Sequence, residues 1–295
     1  MNIKNTAVLI VLSIIFDLNS KESEKWVEEK VEQVHMGNFA LPVSQQPGPL
    51  FSFGQNLVDK GNVLAFAYAN KLKGHQKNFV EVIPSILYGV TDRLSLLVEL
   101  PIAAKFKQEQ FKSHGISDLI VQLEGVVYAH EATYLVDEIT FVGNMSLPTG
   151  SFSKQPSTGL GSPSFFLGFT LSRSKPDWYY FTSWAGLITT VHKQYKLGNA
   201  LLYQFGIGRN IAYKTDGWIL NWLVEINGIY RQHDKIGNVT VCNSGGNILL
   251  VGPSLFFSTQ RFLMQGGVLA VAQEHSFGVQ LKDNYLAAAY IGWKF

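Results

Sequence analysis

Cysteine is nearly absent: Cys242 stands alone in 295 residues, so no internal disulfide and no cysteine-based metal cluster can form. Charge is scarce, at 16% against roughly 25% in an average soluble protein, and 24 Lys+Arg nearly cancel 22 Asp+Glu. A net charge of +2 is too small a basic excess to point to a polyanion partner such as nucleic acid. No run reaches the ~18 consecutive apolar residues of a spanning helix, which argues against a helical membrane protein. Catalytic signatures are missing too: there is no G-x-x-x-x-G-K-[ST], H-E-x-x-H, G-x-S-x-G or paired C-x-x-C. Gly159-Leu160-Gly161 lacks the third glycine and the helix of a dinucleotide loop. Neither an enzyme nor a cofactor is expected. What the chain has is 13% aromatic residues and 27 glycines spread over short apolar segments, the composition of a large β protein, soluble or in an outer membrane.

The chain divides into three parts. Residues 1–20 carry Lys4 and an apolar stretch from Ala7 to Phe16 that Asp17 interrupts, the length of a secretory signal core. Residues 21–33 place Val27 and Val31, with Val34 following, at helical spacing among Glu and Lys, which predicts a short exposed helix. Pro42, Pro47 and Pro49 then make the stretch to residue 60 extended and irregular. Residues 21–60 therefore read as a periplasmic extension or as a plug entering a barrel, and both remain open. The third part, 61–295, is the barrel.

It offers about twelve strand-like segments: 61–72, 78–90, 93–106, 116–130, 133–147, 161–173, 178–191, 198–213, 218–233, 246–258, 262–275 and 283–295. Their connections alternate between short (91–92, 130–132, 175–177, 216–217, 259–260) and longer (73–77, 107–115, 148–160, 192–197, 234–245, 276–282). A transmembrane antiparallel up-and-down β-barrel with both ends in the periplasm has this asymmetry. Asp216-Gly217 suits a type I′ hairpin that would set Thr215 opposite Trp218. Tyr88, Tyr128, Tyr134, Trp178, Tyr179, Tyr180, Tyr213, Trp218 and Trp293 cluster near the short turns or the C-terminus and read as an aromatic girdle.

Alternation separates two faces. Leu94, Leu96, Val98, Leu100, Ile102, Ala104 and Phe106 oppose Ser95, Glu99 and Lys105, and Trp218, Leu220, Trp222, Val224 and Ile226 oppose Asn221, Glu225, Asn227 and Arg231. The first set faces lipid. The lumen then receives Glu81, Glu99, Lys105, Asp118, Gln122, Glu124, Glu138, Asn221, Glu225, Asn227 and Arg231, whose acidic excess favours cations or neutral polar solutes. Filling a narrow lumen is the competing use of such carboxylates. Ile291, Trp293 and Phe295 alternate up to a terminal aromatic and resemble the signal that outer-membrane barrels present to their assembly machinery. Pro84, Pro101 and Pro253 each imply a bulge. Arg209 falls on the lipid side unless Gly206 and Gly208 permit a slip. His75, His114, His192, His233 and His275 sit near the outer rim without ligand spacing, and Cys242 reads as an incidental thiol.

Four stretches together resemble a known family: GVTDRLSLLVELPI at 89–102, HGISDLIVQLEGVVY at 114–128, LPTGSFSKQPSTGLGSPSFF at 147–166 and DWYYFTSWAGLI at 177–188. QPGPLFSFGQNLVDKG at 46–61 is similar to the segment preceding the first strand in some members. The family is that of the meta-pathway phenol-degradation outer-membrane barrels, described as transporters. The resemblance implies passage of small organic, often aromatic, solutes and carries over no site residues. The expected function is a passive outer-membrane channel in contact with membrane lipid. A sealed structural or surface-interaction barrel is the alternative, followed by a membrane-embedded hydrolase.

Overall fold

A computed structural model describes residues 34–295. The expected leader over 1–20 and the helix over 21–33 lie outside the described residues. Strands β1 (Val63–Gly74), β2 (Lys77–Thr91), β3 (Leu94–Glu99, resuming at Ile102–Gln108) and β4 (Phe111–Ile116, resuming at Leu119–Ala132) form the first third of the wall. The middle third is β5 (Leu135–Leu147), β6 (Ser164–Ser174), β7 (Trp178–Thr189) and β8 (Ala200–Lys214). The rest is β9 (Trp218–Arg231), β10 (Gly246–Thr259), β11 (Phe262–Ser276) and β12 (Asp283–Lys294).

Each strand pairs antiparallel with its neighbour in sequence, and β1 closes on β12 with Leu64 opposite Lys294 and Leu72 opposite Leu286. The result is a closed barrel of 12 strands. Closure satisfies every strand edge internally, the condition for a sheet to survive in hydrocarbon. The outward face is apolar: Ile86, Leu123, Leu167, Leu255 and Ile291 are each more than half exposed. In a soluble protein such a belt would aggregate, whereas in lipid it is the solvated surface. The molecule is an integral outer-membrane β-barrel.

Several local expectations change. The outer connections over 73–77 and 107–115 shrink to two-residue turns, His75-Gln76 and Glu109-Gln110, because strand pairing continues up to Gly74↔Lys77 and Gln108↔Phe111. The other outer connections are long, and two of them, after β7 and after β9, together form a small three-stranded sheet of Tyr195–Lys196, Lys235–Ile236 and Val239–Thr240. Pro84 and Pro253 are accommodated without a bulge. Ser85 pairs with Glu99 and Val82 with Ile102 in one register, as do Val251 with Ala270 and Ser254 with Gly267. Pro101 does sit at an irregularity: between Glu99↔Ile120 and Ile102↔Ile116 the pairing slips by one residue.

At the β8–β9 turn Lys214, not Thr215, faces Trp218, and a bulge separates Asn210 from Ala212. The turn is held from inside the barrel, with Asp216 N–H donating to Ala40 C=O (3.1 Å) and Thr215 Oγ1 to His35 C=O (2.9 Å). The bulge restores the parity of β8, so Arg209 faces outward opposite Trp222, its guanidinium 5.2 Å from the Trp178 ring centre. Stacked there at the periplasmic interface, it escapes the cost of the membrane midplane.

Candidate functional site

Residues 37–60 run along the inside of the lower barrel. Two three-residue 3-10 turns, Gly37–Phe39 and Val43–Gln45, are their regular structure. Prolines and glycines prevent a longer element, so the N–H groups need acceptors from elsewhere. The barrel's inward side chains provide them.

The largest receptor is Glu225 on β9, which is fully buried. Its Oε1 accepts from Leu50 N (2.8 Å), and its Oε2 accepts from Phe51 N (3.1 Å), Ser52 N (3.0 Å) and Ser52 Oγ (2.9 Å). Three consecutive N–H groups converging on one carboxylate form an anion nest, here filled by the protein's own side chain. Ser52 Oγ also lies 3.0 Å from Asn227 Oδ1. Glu124 on β4, 1% exposed, repeats the device: it accepts from Gln55 N, and from Asn56 N at 3.1 Å. Gln122 Nε2 supports it at 3.4 Å.

Between and beyond these two seats, Phe53 N donates to Gln204 (3.1 Å) while Ser183 donates to Phe53 C=O (3.2 Å). Val58 N donates to Ser95 Oγ (3.1 Å), Gln265 Nε2 to Gly48 C=O (3.2 Å), and Tyr179 OH to Gln55. Asn221 Nδ2 meets Asn38 Oδ1 at 2.5 Å. Below, Lys294 ties Ser44 (3.0 Å) to Asp59 (3.3 Å).

Apolar packing completes the closure. Ala40, Leu41, Leu50 and Val58 join inward Leu64, Phe66, Leu87, Phe181, Leu223, Phe256 and Tyr290 in one buried cluster. Phe53 stands edge-on to Phe166 at 4.9 Å, over Gly168, where an added Cβ would lie 2.7 Å from its ring. Gly206 makes the same room for Phe181, whose Cε1 would be 2.0 Å from a Cβ. A cavity of about 60 Å³ between the segment and β1, β2, β11 and β12 is left, enough for one or two waters.

Most residues expected in the lumen point inward, but they serve different ends. Glu124, Gln122, Asn221, Glu225 and Asn227 are buried against the inner segment or its seats. Glu81 and Glu99, higher in the bore, are half-buried and, among the described residues, hydrogen-bonded only to Ser117 (3.2 Å) and Ser85 (3.5 Å). Glu138 shares Ser172's inward face near the periplasmic end, and Arg231 lies inward at the outer end of β9. Asp118 is a loop anchor, accepting from Gly150 N (2.9 Å) and Leu160 N (2.7 Å) and so fixing residues 148–160 to β4. Lys105 is not in the lumen: bulges at Val80/Glu81 and Ala103/Phe106 place it opposite outward Val80 and turn Phe106 inward onto Phe79.

Of the girdle, Tyr88, Tyr128, Trp178, Trp218 and Trp293 face outward at the short-turn end, and exposed Tyr134 lies in the β4–β5 turn. Tyr179 does not belong to it; it faces the bore with no exposed surface. Tyr213 is turned by the β8 bulge to the face of Ile219. Outward Asp137 and Arg173, joined at 2.7 and 2.8 Å, add an ion pair to this zone. Ile291, Trp293 and Phe295 are outward and exposed.

Sequence reading missed Gln204, Ser95, Ser183, Gln265 and Tyr179 as seats. The available signal was the proline-rich stretch itself, whose unpaired N–H groups required inward acceptors. No family model and no curated protein sequence matches the chain. Among solved structures it is similar to an outer membrane channel from Pseudomonas putida F1, with TM-score 0.69 and 12% identity over 83% of this chain and 99% of that one. The NanC porin aligns with TM-score 0.47 and 10% identity over 78% of this chain and 98% of its own. The first of these likenesses is one of fold.

Proposed function

We propose that the protein is a passive outer-membrane channel for small solutes and that this structure is its closed state, with residues 37–60 as the closure. The reading rests on one observation: among the described residues the segment meets the barrel wall through hydrogen bonds, chiefly to Glu225 and Glu124, and through side-chain packing, contacts that withdrawal would have to break, and is joined to it covalently where the chain continues into β1. Beyond it the inward polar residues Asn70, Glu81, Glu99 and Arg231 are only half-buried, although Leu250 and Leu269 of the same face are buried. Withdrawal of the segment would uncover Phe66, Tyr179, Phe181, Phe256 and Tyr290 beside carboxylates and amides. That lining suits a small aromatic or amphipathic solute and disfavours anions. The resemblance to the meta-pathway phenol-degradation barrels supports the same class without identifying phenol as the cargo.

In this reading the leader at 1–20 directs export, and Ile291, Trp293 and Phe295 are read by the assembly machinery. The test is conductance in planar bilayers with Ser52→Cys/Asn227→Cys in a Cys242→Ser background. Oxidation should abolish openings and reduction restore them. Openings unaffected by the cross-link exclude segment withdrawal as the gate. A barrel silent in every state, including Glu225→Ala, is the sealed structural alternative.

A further inference from the structure

The bulges that expel Lys105 from the lumen gather cations on the outer wall. Along β2, Asn78, Val80, Val82, Pro84, Ile86 and Tyr88 alternate on the outward face. Register sets Lys71 and Lys105 on either side of Val80, and Lys73 and Lys107 on either side of Asn78. Lys112 follows beside Lys107. Five lysines on β1, β3 and β4 thus occupy one outward patch, with neighbouring strands about 4.8 Å apart. Among the described residues none of the five makes an ion pair, while Lys77 on the opposite face is neutralised by Asp283 at 2.7 Å. A recess of about 510 Å³ opens at the turn end of the patch, lined by Lys73, Lys105 and Lys107 together with Lys77, Asn78 and the turn residues, of which Glu109 is its one carboxylate.

The height of the patch identifies what faces it. Ten residues separate Asn78 from Tyr88 of the periplasmic girdle. At ~3.3 Å per residue and a tilt near 40° this is about 25 Å, the height of the apolar band of an outer-membrane barrel. Exposed Val82, Ile86 and Ile116 fill that band directly beneath. The lysines therefore project sideways into the outer-leaflet headgroup layer, not upward into solvent.

We propose that this patch binds the phosphorylated headgroup of an outer-leaflet glycolipid, with ammonium groups on phosphate oxygens and acyl chains lying against the apolar wall of β2 and β4. The apolar wall continuous with the recess favours a lipid over a soluble anion, which would gain nothing from it.

The test is equilibrium binding to the labelled full chain in detergent, titrating bis-phosphorylated lipid A, its dephosphorylated form and inorganic phosphate. The phosphorylated lipid should bind, and removing its phosphates should weaken binding about tenfold or more. Lys73→Gln/Lys105→Gln/Lys107→Gln should lose a similar factor, with Arg at the three positions restoring it. Lys193→Gln/Lys196→Gln/Lys235→Gln, elsewhere on the outer loops, should change nothing. Folding of each variant is checked by retention of the SDS-resistant compact band. Equal affinity for dephosphorylated lipid A, or equal loss in the control triple, overturns the proposal. Inorganic phosphate competing as strongly as the lipid would reassign the site to a soluble anion and overturn it as well.

Discussion

The lower and upper halves of the bore use the same residue type for opposite ends. Near the periplasm Glu225 and Glu124 are buried, and backbone N–H groups of the inner segment saturate their oxygens. Towards the outside Glu81 and Glu99 keep one long hydroxyl partner each and remain half-buried. A buried carboxylate is tolerable only when hydrogen bonds replace its hydration, so the lower pair exists because the segment exists. The upper pair depends on no such partner. A barrel wall that looks uniformly acidic in sequence is thus a docking surface below and, above, bears carboxylates that hydrogen-bond only to neighbouring wall hydroxyls among the described residues.

Glu225→Ala strikes this contrast hardest. It strips Leu50, Phe51 and Ser52 of their acceptor, and charge-assisted bonds of ~1.5–3 kcal/mol each, less than additive, give an expected loss of about 3–5 kcal/mol in seating. Hydrogen exchange at residues 50–53 should rise steeply and bilayer openings become frequent. Gly206→Ala attacks the same half through packing. Its Cβ would lie 2.0 Å from Phe181 Cε1, and forcing that buried ring aside should cost about 1–3 kcal/mol, read as a lower urea midpoint. Glu124→Gln retains one acceptor oxygen, so it should cost about 1 kcal/mol and raise exchange at Gln55 and Asn56 without opening the channel fully. An equal response to Glu225→Ala and Glu124→Gln would mean that the two seats are not graded by their number of bonds.

The wall was largely legible in sequence. Period-two alternation in β9 and β12 gave the correct faces down to Trp218, Glu225 and Trp293, because one side of each strand meets lipid and must be apolar. Alternation fails wherever a bulge inserts a residue, and Lys105, Phe106 and Tyr213 changed face for that reason. Tyr179 misled differently. It sits beside a short turn like a girdle residue, but it is an inward residue packed with Phe181 and bonded to Gln55. The inward face below the midpoint is aromatic as well as polar, since it packs against the inner segment. No local pattern distinguishes that from lipid-facing strand. The path of residues 37–60 was illegible because it is set by acceptors more than 100 residues away, such as Glu225 and Gln204.

The double change Glu81→Gln/Glu99→Gln sharpens the contrast from the other side and should have the smallest effect on stability. Each side chain makes one hydroxyl contact and keeps an amide oxygen to accept it, so the urea midpoint should shift by the equivalent of less than about 0.5 kcal/mol. Selectivity is where these two residues should register. In a Glu225→Ala background, which supplies the openings, removing two carboxylates from the upper bore should move the reversal potential in a salt gradient towards zero, as cation preference falls. Glu225→Ala itself also removes a carboxylate, so the comparison is between the single and triple variants at equal conductance. If the reversal potential stays fixed while the urea midpoint drops, then Glu81 and Glu99 are structural acceptors like the pair below. The bore would then have no charged lining distinct from its docking surface.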